Sequence, residues 1–273
     1  MYEVKPDQSV ELLKELHILT RDGKMNQDSR RKLKQIYHLY QFIEPLLQEI
    51  QQDHAAINLV DHGAGKSYLG FILYDLFFKA LTSSSHIYGI ETRDDLVTKS
   101  IELAARLKFS RMSFLNLSVA ESIDSAQLPQ QIDVVTALHA CNTATDDAIH
   151  FALRKKAKFV VLVPCCQAEV AALLKKNKSK QIEKNSLAEL WRHPIHTREF
   201  GSHVTNVLRC LQLEAHGYQV TVTELVGWEH SMKNELIVAT YKNLPRLRAA
   251  ERLHDMLATL GLEEMRGRFF TEI

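Results

Sequence analysis

The spacing of hydrophobic residues changes once along the chain, near residue 55. Before it, apolar residues recur at helical intervals over residues 10–16 and 30–50, with no strand-like alternation between them. After it, short β-rich runs alternate with amphipathic segments. The pattern predicts a helical extension over residues 1–52, an α/β domain over 53–243 and a helical tail over 244–273.

The β-rich runs predict seven strands and the segments around them predict helices. The strands are expected at 57–60, 87–90, 112–115, 134–138, 159–163, 220–225 and 236–240. The helices are expected at 68–81, 94–107, 146–154, 205–216 and 244–260. Strands that alternate with helices form right-handed βαβ units, whereas the short link before the last strand permits an antiparallel hairpin. We therefore expect a Rossmann-like, seven-stranded, mostly parallel sheet with an antiparallel edge strand and helices on both faces.

The composition is typical of a globular protein and does not indicate a binding partner. The chain has 273 residues, of which 45% are hydrophobic, so it can form a substantial core. Lys and Arg total 34 and Asp and Glu total 33, so overall charge does not argue for a polyanion. Four cysteines and a start without a signal-like segment predict a reducing, cytoplasmic location. No apolar run approaches the roughly 18 residues that a membrane span requires.

The first predicted strand leads into a glycine turn, Asp61-x-Gly63-x-Gly65, and then into a helix. Without a Cβ, glycine permits positive φ and close approach of a ligand, and the first amides of the helix face that ligand. A P-loop would need a further glycine at Val60, and the dinucleotide pattern would need one at Tyr68. The turn therefore argues against both of these nucleotide sites.

A carboxylate, Glu91, ends the second predicted strand, where it could accept hydrogen bonds from both ribose hydroxyls. Taken singly, Asp61 could cap a helix and Glu91 could be a surface acid, but their order favours a cofactor site. The turn resembles the first motif of class I S-adenosylmethionine (SAM)-dependent methyltransferases, which implies SAM as the cofactor. The predicted cofactor-binding residues are Asp61, Gly63, Gly65, Lys66, Glu91, Ser118, Val119 and His139.

Two further polar segments follow the fourth and fifth predicted strands. One contains His139, Cys141 and Asp146, and the other contains Cys165 and Cys166. Carboxyl ends of parallel strands face one crevice, so these side chains should converge on the transferred group. The pattern His-x-Cys-x-x-Ala-Thr-Asp followed by Pro-Cys-Cys resembles a methyltransferase-domain family over residues 32–241. That family includes eukaryotic methyltransferase-like proteins and, more distantly, tRNA 2′-O-methyltransferases.

The predicted catalytic residues are His139, Cys141, Asp146 and Cys165. Methyl transfer is an in-line displacement that needs alignment in a water-poor crevice and no covalent nucleophile. His139 or Asp146 could accept a proton from a hydroxyl or nitrogen acceptor. Other interpretations stay open: Asp146 could cap a helix, His139 could shape the cofactor pocket, and at least one cysteine could be an apolar filler. No metal site is predicted, because adjacent cysteines seldom bind one metal together.

The acceptor is predicted from local charge. Lysines cluster over residues 175–184, basic residues and histidines follow over 192–198, and a third basic segment spans 30–34. If these segments flank the crevice they would bind phosphates, which favours RNA. The related tRNA enzymes have glycine and histidine where this chain has Asn142 and Gln167, so tRNA specificity is not implied. A solvated lysine face, a protein or small-molecule acceptor, and a non-catalytic RNA-binding module remain alternatives.

Overall fold

A computed structural model describes residues 4–5, 7–53, 56–138, 143–164, 168–177, 186–225, 235–244 and 248–269. The strands are β1 (Asn58–His62), β2 (His86–Glu91), β3 (Met112–Asn116), β4 (Val134–Leu138), β5 (Phe159–Val163), β6 (Tyr218–Glu224) and β7 (Glu235–Tyr241). The helices are α1 (Val10–Glu15), α2 (Gln27–Asp53), α3 (Tyr68–Leu76), α4 (Asp94–Arg106), α5 (Val119–Ile123), α6 (Ala144–Arg154), α7 (Glu169–Lys176), α8 (Pro194–Ala215), α9 (Ala249–Leu260) and α10 (Arg266–Phe269). Short 3₁₀ turns lie at Phe78–Ala80, Ser186–Trp191 and Glu263–Met265.

The seven strands form one sheet in the order β3-β2-β1-β4-β5-β7-β6. Strands β1 to β5 pair in parallel, β7 is antiparallel to β5, and β6 is antiparallel to β7. This confirms the predicted mostly parallel α/β sheet and its antiparallel hairpin at one edge, with β7 one position in from that edge. The strand order reverses between β1 and β4, and ligands of such sheets bind outside the carboxyl ends at that point.

The sheet carries a separate hydrophobic cluster on each face. Alternation along β1 directs Leu59 into one cluster and Val60 into the other. The first cluster contains residues of α1 to α4, including Phe71 and Leu47, so the predicted N-terminal extension shares its core with the sheet. The second contains residues of α5, α6 and the end of α8, with Phe151 fully buried.

A third cluster lies in the helical cap, which we define as α7, the turn Ser186–Trp191, the first part of α8, α9 and α10. Asn206 of α8 bonds to Glu235, which begins β7 at the carboxyl edge of the parallel strands. The 12 residues of α8 before Asn206 span about 18 Å at 1.5 Å per residue, so this part of α8 continues beyond that edge. The cap therefore stands at the end of the sheet where a ligand would bind.

Three helix boundaries differ from those predicted by five residues or more. Helix α3 ends at Leu76 instead of residue 81, and the chain continues in a 3₁₀ turn. Helix α8 begins at Pro194 instead of 205, because proline at the first helical position is pre-organised for a helix. Helix α9 begins at Ala249 instead of 244, after Arg248 in the left-handed conformation at φ 56°. In the part of the chain described here, no helix combines the length and apolar composition needed to cross a bilayer.

Candidate active site

Three residues of the glycine turn adopt left-handed backbone conformations. Gly63 has φ 63° and Gly65 has φ 56°, as their positions predicted, and Ser67 has φ 51°. Ser67 is fully buried, and a Cβ on Gly70 would lie 2.6 Å from its Oγ, so glycine at 70 makes room for the serine. A non-glycine residue in this conformation costs about 1–2 kcal/mol. The sequence analysis did not predict the left-handed conformation of Ser67, although Ser67 follows Gly65 by two residues, just as Gly65 follows Gly63.

Glu91 bonds directly to the glycine turn. The Gly65 N–H donates to Glu91 Oε2 at 2.8 Å, which ties the end of β2 to the turn that follows β1. Arg93 adds three donors: its N–H at 3.0 Å and its Nε at 3.1 Å to Oε1, and its Nη2 at 3.2 Å to Oε2. Burial would raise the pKa of Glu91, but the hydrogen bonds from Arg93 and Gly65 outweigh it and hold the pKa below its usual value. The carboxylate is therefore ionised at the edge where a ribose would lie.

Asp61 and His62 are consecutive buried residues at the end of β1, and their side chains point to opposite faces of the sheet. Asp61 accepts a 2.7 Å hydrogen bond from Thr136 Oγ1 of β4, and burial raises its pKa to about 7 despite that bond. The His62 ring packs edge-on against Phe151 at 4.5 Å, and burial lowers its pKa to about 3. His62 is therefore neutral at pH 7, whereas the Asp61 carboxyl is about half ionised there.

Lys66, Ser118 and Val119 are the other predicted cofactor residues that the structure describes. Lys66 is exposed and borders a cleft of about 260 Å³ between α3, α4 and the end of α1. Ser118 caps α5: its Oγ accepts from the Glu121 N–H at 3.3 Å, while its own N–H donates to that glutamate at 2.7 Å. Val119 is the first residue of α5. Both follow β3, whose Asn116 pairs in register with Glu91, so they lie at the carboxyl edge.

Asp146 forms a buried ion pair across two helices. Its Oδ1 accepts from Arg209 Nε at 2.6 Å and its Oδ2 accepts from Arg209 Nη2 at 3.1 Å, with both side chains less than 5% exposed. Arg268 of α10 approaches Oδ2 at 3.5 Å and also bonds to Glu169 at 3.2 Å. Residue Thr143 occupies the N-cap position of α6, and no side-chain cap bond forms there. Asp146 thus joins α6 to α8 and α10.

A pocket of about 550 Å³ opens beside this ion pair. It lies between the first turns of α6 and α7 and the end of the cap. Its lining is Thr143, Asp146, Asp147, His150, Glu169, Glu264, Met265, Gly267 and Arg268. Helices α6 and α7 follow the loops after β4 and β5, so the pocket adjoins the region where an acceptor would meet the cofactor.

Three of the predicted catalytic residues, His139, Cys141 and Cys165, lie outside the described residues, as does Cys166. Their roles stay predictions. The structure adds Arg93, Arg209 and Arg268 to the site. Arg209 and Arg268 follow Asp146 by 63 and 122 residues, so no local pattern could have indicated their contacts with it.

Comparison with known proteins identifies the family. A family model described as a methyltransferase domain matches residues 31–173, which is more than half of the chain. The chain belongs to this methyltransferase-domain family. The match spans the glycine turn, Glu91 and Asp146. No sequence among curated proteins is significantly similar to this chain.

Solved structures similar to this methyltransferase share little of its sequence. Magnesium protoporphyrin IX methyltransferase from Synechocystis PCC 6803, with bound S-adenosylhomocysteine (SAH), is 14% identical with a TM-score of 0.45, over 86% of this chain and 95% of that one. The Methanococcus jannaschii fibrillarin pre-rRNA processing protein is 12% identical with a TM-score of 0.42, over 70% and 68% of the two chains. Aeropyrum pernix fibrillarin, in complex with SAM, is 11% identical with a TM-score of 0.39, over 67% and 66%.

The cofactor of this methyltransferase is SAM. The left-handed glycines bring no Cβ to the turn, and the ionised Glu91 stands beside it, so the residues present fit an adenosyl group. Gly63, Gly65 and Glu91 would hold the cofactor, which supplies an electrophilic methyl group when bound.

Proposed function

We propose that this methyltransferase modifies RNA. The observation that supports the proposal is the exposure of basic side chains on two separate elements. At the start of α2, Arg30, Arg31 and Lys32 are all exposed. In the cap, the segment 192–198 exposes Arg192, His193, His196 and Arg198. The first part of α8 continues beyond the carboxyl edge of the sheet, which supports phosphate binding by its basic residues near the methyl group.

Three of these cations already have acidic neighbours, and one of them is Arg31, whose Nη1 lies 3.6 Å from Asp28 Oδ1. Arg192 bonds to Glu189 at 3.1 Å and Arg198 bonds to Glu199 at 2.9 Å, with all four side chains more than 40% exposed. Exposed pairs of this kind contribute about 0.2–1 kcal/mol, so a phosphate can displace the carboxylate at little cost. The basic surface of the cap therefore remains available to RNA.

In this proposal the protein aligns the acceptor and excludes water. Asp146 holds α6 in place through Arg209, so we assign it to positioning and leave proton acceptance to His139. The acceptor atom would enter through the pocket beside α6 and α7.

The proposal is tested with labelled SAM added to cell lysate together with the purified protein. Label that is lost after RNase treatment supports RNA, whereas label that survives RNase and is lost after protease contradicts it. Gly63→Arg, which fills the glycine turn, should abolish labelling of either kind. If wild-type protein binds neither SAM nor SAH by calorimetry, the methyltransferase activity itself is refuted for this chain.

Charge reversal locates the RNA surface. Arg192→Glu with Arg198→Glu should weaken RNA binding and reduce its salt dependence, because phosphate contacts release counterions. Arg252→Glu is the matched control: Arg252 is 51% exposed and pairs with Glu214 at the opposite end of α8. Equal RNA affinity of the double variant and the control would exclude the segment 192–198 as the RNA surface.

A second candidate acceptor is a cationic group, such as a lysine or arginine side chain of a protein. The pocket supports it: Asp146, Asp147, Glu169 and Glu264 line it together with one guanidinium, that of Arg268. Counter-ions reduce this charge, since Arg209 pairs with Asp146 and Lys176 pairs with Glu264. Protease-sensitive label in the lysate experiment would favour this candidate.

A further inference from the structure

Arg93 donates hydrogen bonds to Glu91, the carboxylate that we expect to bind the cofactor ribose. Glu91 accepts four hydrogen bonds of 3.2 Å or less, from Gly65 N–H, Arg93 N–H, Arg93 Nε and Arg93 Nη2. A longer contact from Thr92 Oγ1 measures 3.4 Å. A carboxylate offers about four lone-pair positions, so these donors fill it. Two ribose hydroxyls can bind Glu91 only if two of the present donors leave.

The donors differ in how easily they can leave. The N–H groups of Gly65 and Arg93 belong to the backbone of the glycine turn and of the start of α4, so the fold holds them in place. The guanidinium belongs to a side chain that is 63% exposed, whereas the Glu91 side chain is 8% exposed, so the guanidinium can move into solvent and the carboxylate cannot. Arg93 is therefore the partner that a ligand can displace.

The geometry of the pair matches what a ribose would require. Nε and Nη2 of Arg93 bind one Glu91 oxygen each, as two neighbouring hydroxyls would. The same guanidinium lies over the turn, because a Cβ built on Gly65 would be 3.7 Å from Nη2. It thus covers both the backbone and the carboxylate that form the cofactor site.

We propose that Arg93 competes with the cofactor ribose for Glu91 and thereby lowers the affinity of the free protein for SAM and SAH. This inference rests on the proposed role of Glu91 in binding the ribose. Arg93 acts as an internal competitor that must swing into solvent before the cofactor binds.

Calorimetry with SAH tests the competition. Arg93→Ala should lower the Kd about two- to fivefold, the range expected for loss of an ion pair whose arginine is largely exposed. Arg93→Lys should fall between Ala and wild type, because one ammonium cannot cover both oxygens in the forked arrangement. Arg252→Ala, which removes a paired and similarly exposed guanidinium on α9, should leave the Kd unchanged.

A double substitution shows whether Arg93 acts through Glu91. In a Glu91→Gln background, Arg93→Ala should have no further effect on the Kd. A salt series with 5′-methylthioadenosine, which is uncharged and carries both ribose hydroxyls, gives a second readout. Higher salt should improve wild-type binding and leave Arg93→Ala unaffected, since salt screens the exposed pair.

The outcomes separate this inference from the function it rests on. A higher or unchanged Kd in Arg93→Ala overturns the competition, and so does an equal effect of Arg93→Ala in the Glu91→Gln background. If Glu91→Gln leaves the Kd unchanged in the Arg93→Ala background, where no competitor is present, the ribose role of Glu91 is wrong. If SAH does not bind wild-type protein at all, cofactor use itself fails.

Discussion

Replacing Asp146 should lower the stability of the protein, because Asp146 forms a structural ion pair and does not act as a catalytic base. Its carboxylate and the Arg209 guanidinium are 4% and 1% exposed and are joined by two hydrogen bonds. Asp146→Ala leaves a buried guanidinium without its main partner, which costs about 3–5 kcal/mol. With about 2.1 cal/mol/K of unfolding entropy per residue, 273 residues give about 0.57 kcal/mol/K, so the Tm should fall by about 5–9 °C.

Differential scanning calorimetry measures the change, and the chain provides its own control. Asp147 is the next residue, lines the same pocket and is exposed, so Asp147→Ala should change stability by no more than about 0.5 kcal/mol. The double variant Asp146→Leu with Arg209→Met should recover most of the loss, because an apolar pair replaces the buried charges without desolvation. Equal Tm values for the two alanine variants would refute the reasoning. Loss of methyl transfer in Asp146→Asn at unchanged Tm would instead show a catalytic role.

Three further predictions concern pH, cofactor affinity and helix packing. Below pH 7 the titrations of Asp61 and His62 should have opposite effects on stability measured by urea unfolding. The pKa of Asp61 is raised from 3.8 to about 7, so its contribution to stability is present at low pH and is lost as the pH rises to 7. The pKa of His62 is lowered from 6.5 to about 3, so its contribution is present above pH 6.5 and is lost as the pH falls. Asp61→Asn should therefore make stability rise with pH by at most about 1.4 kcal/mol per unit between pH 4 and 6, and a flat profile in this variant would contradict the assignment. Glu91→Ala should weaken SAH binding by about 1–3 kcal/mol in calorimetry through lost charge-assisted hydrogen bonds, and an unchanged Kd would argue against its role. Gly201→Ala should destabilise the protein by about 1–3 kcal/mol, because its Cβ would meet the backbone of α7 at 2.7 Å. Gly267→Ala should be neutral or slightly stabilising, because nothing lies within 4 Å of its Cβ. Equal Tm values for the two variants would show that α7 and α8 can move apart without cost.

Features that depend on residues close together in the sequence were predicted correctly. The positive φ of Gly63 and Gly65 follows from the missing Cβ and from the strand and helix on either side. The placement of Glu91 at the carboxyl end of β2 follows from a short apolar run that a polar residue terminates. The long helix α8 was only half predicted, because its first half exposes polar residues and packs mainly through Trp191 and other cap residues.

The amino-acid sequence by itself determined the order and type of most elements, the glycine turn and the acid that follows β2. These features depend on hydrophobic periodicity and backbone sterics, which act over a few residues. Only the tertiary structure decided that β7 lies between β5 and β6, that Arg209 holds Asp146, and that Arg93 covers Glu91. The strand order and the Asp146–Arg209 pair depend on how elements distant in the sequence pack, and the Arg93–Glu91 pair depends on the conformation of an exposed side chain. The spacing of residue types along the sequence determines neither.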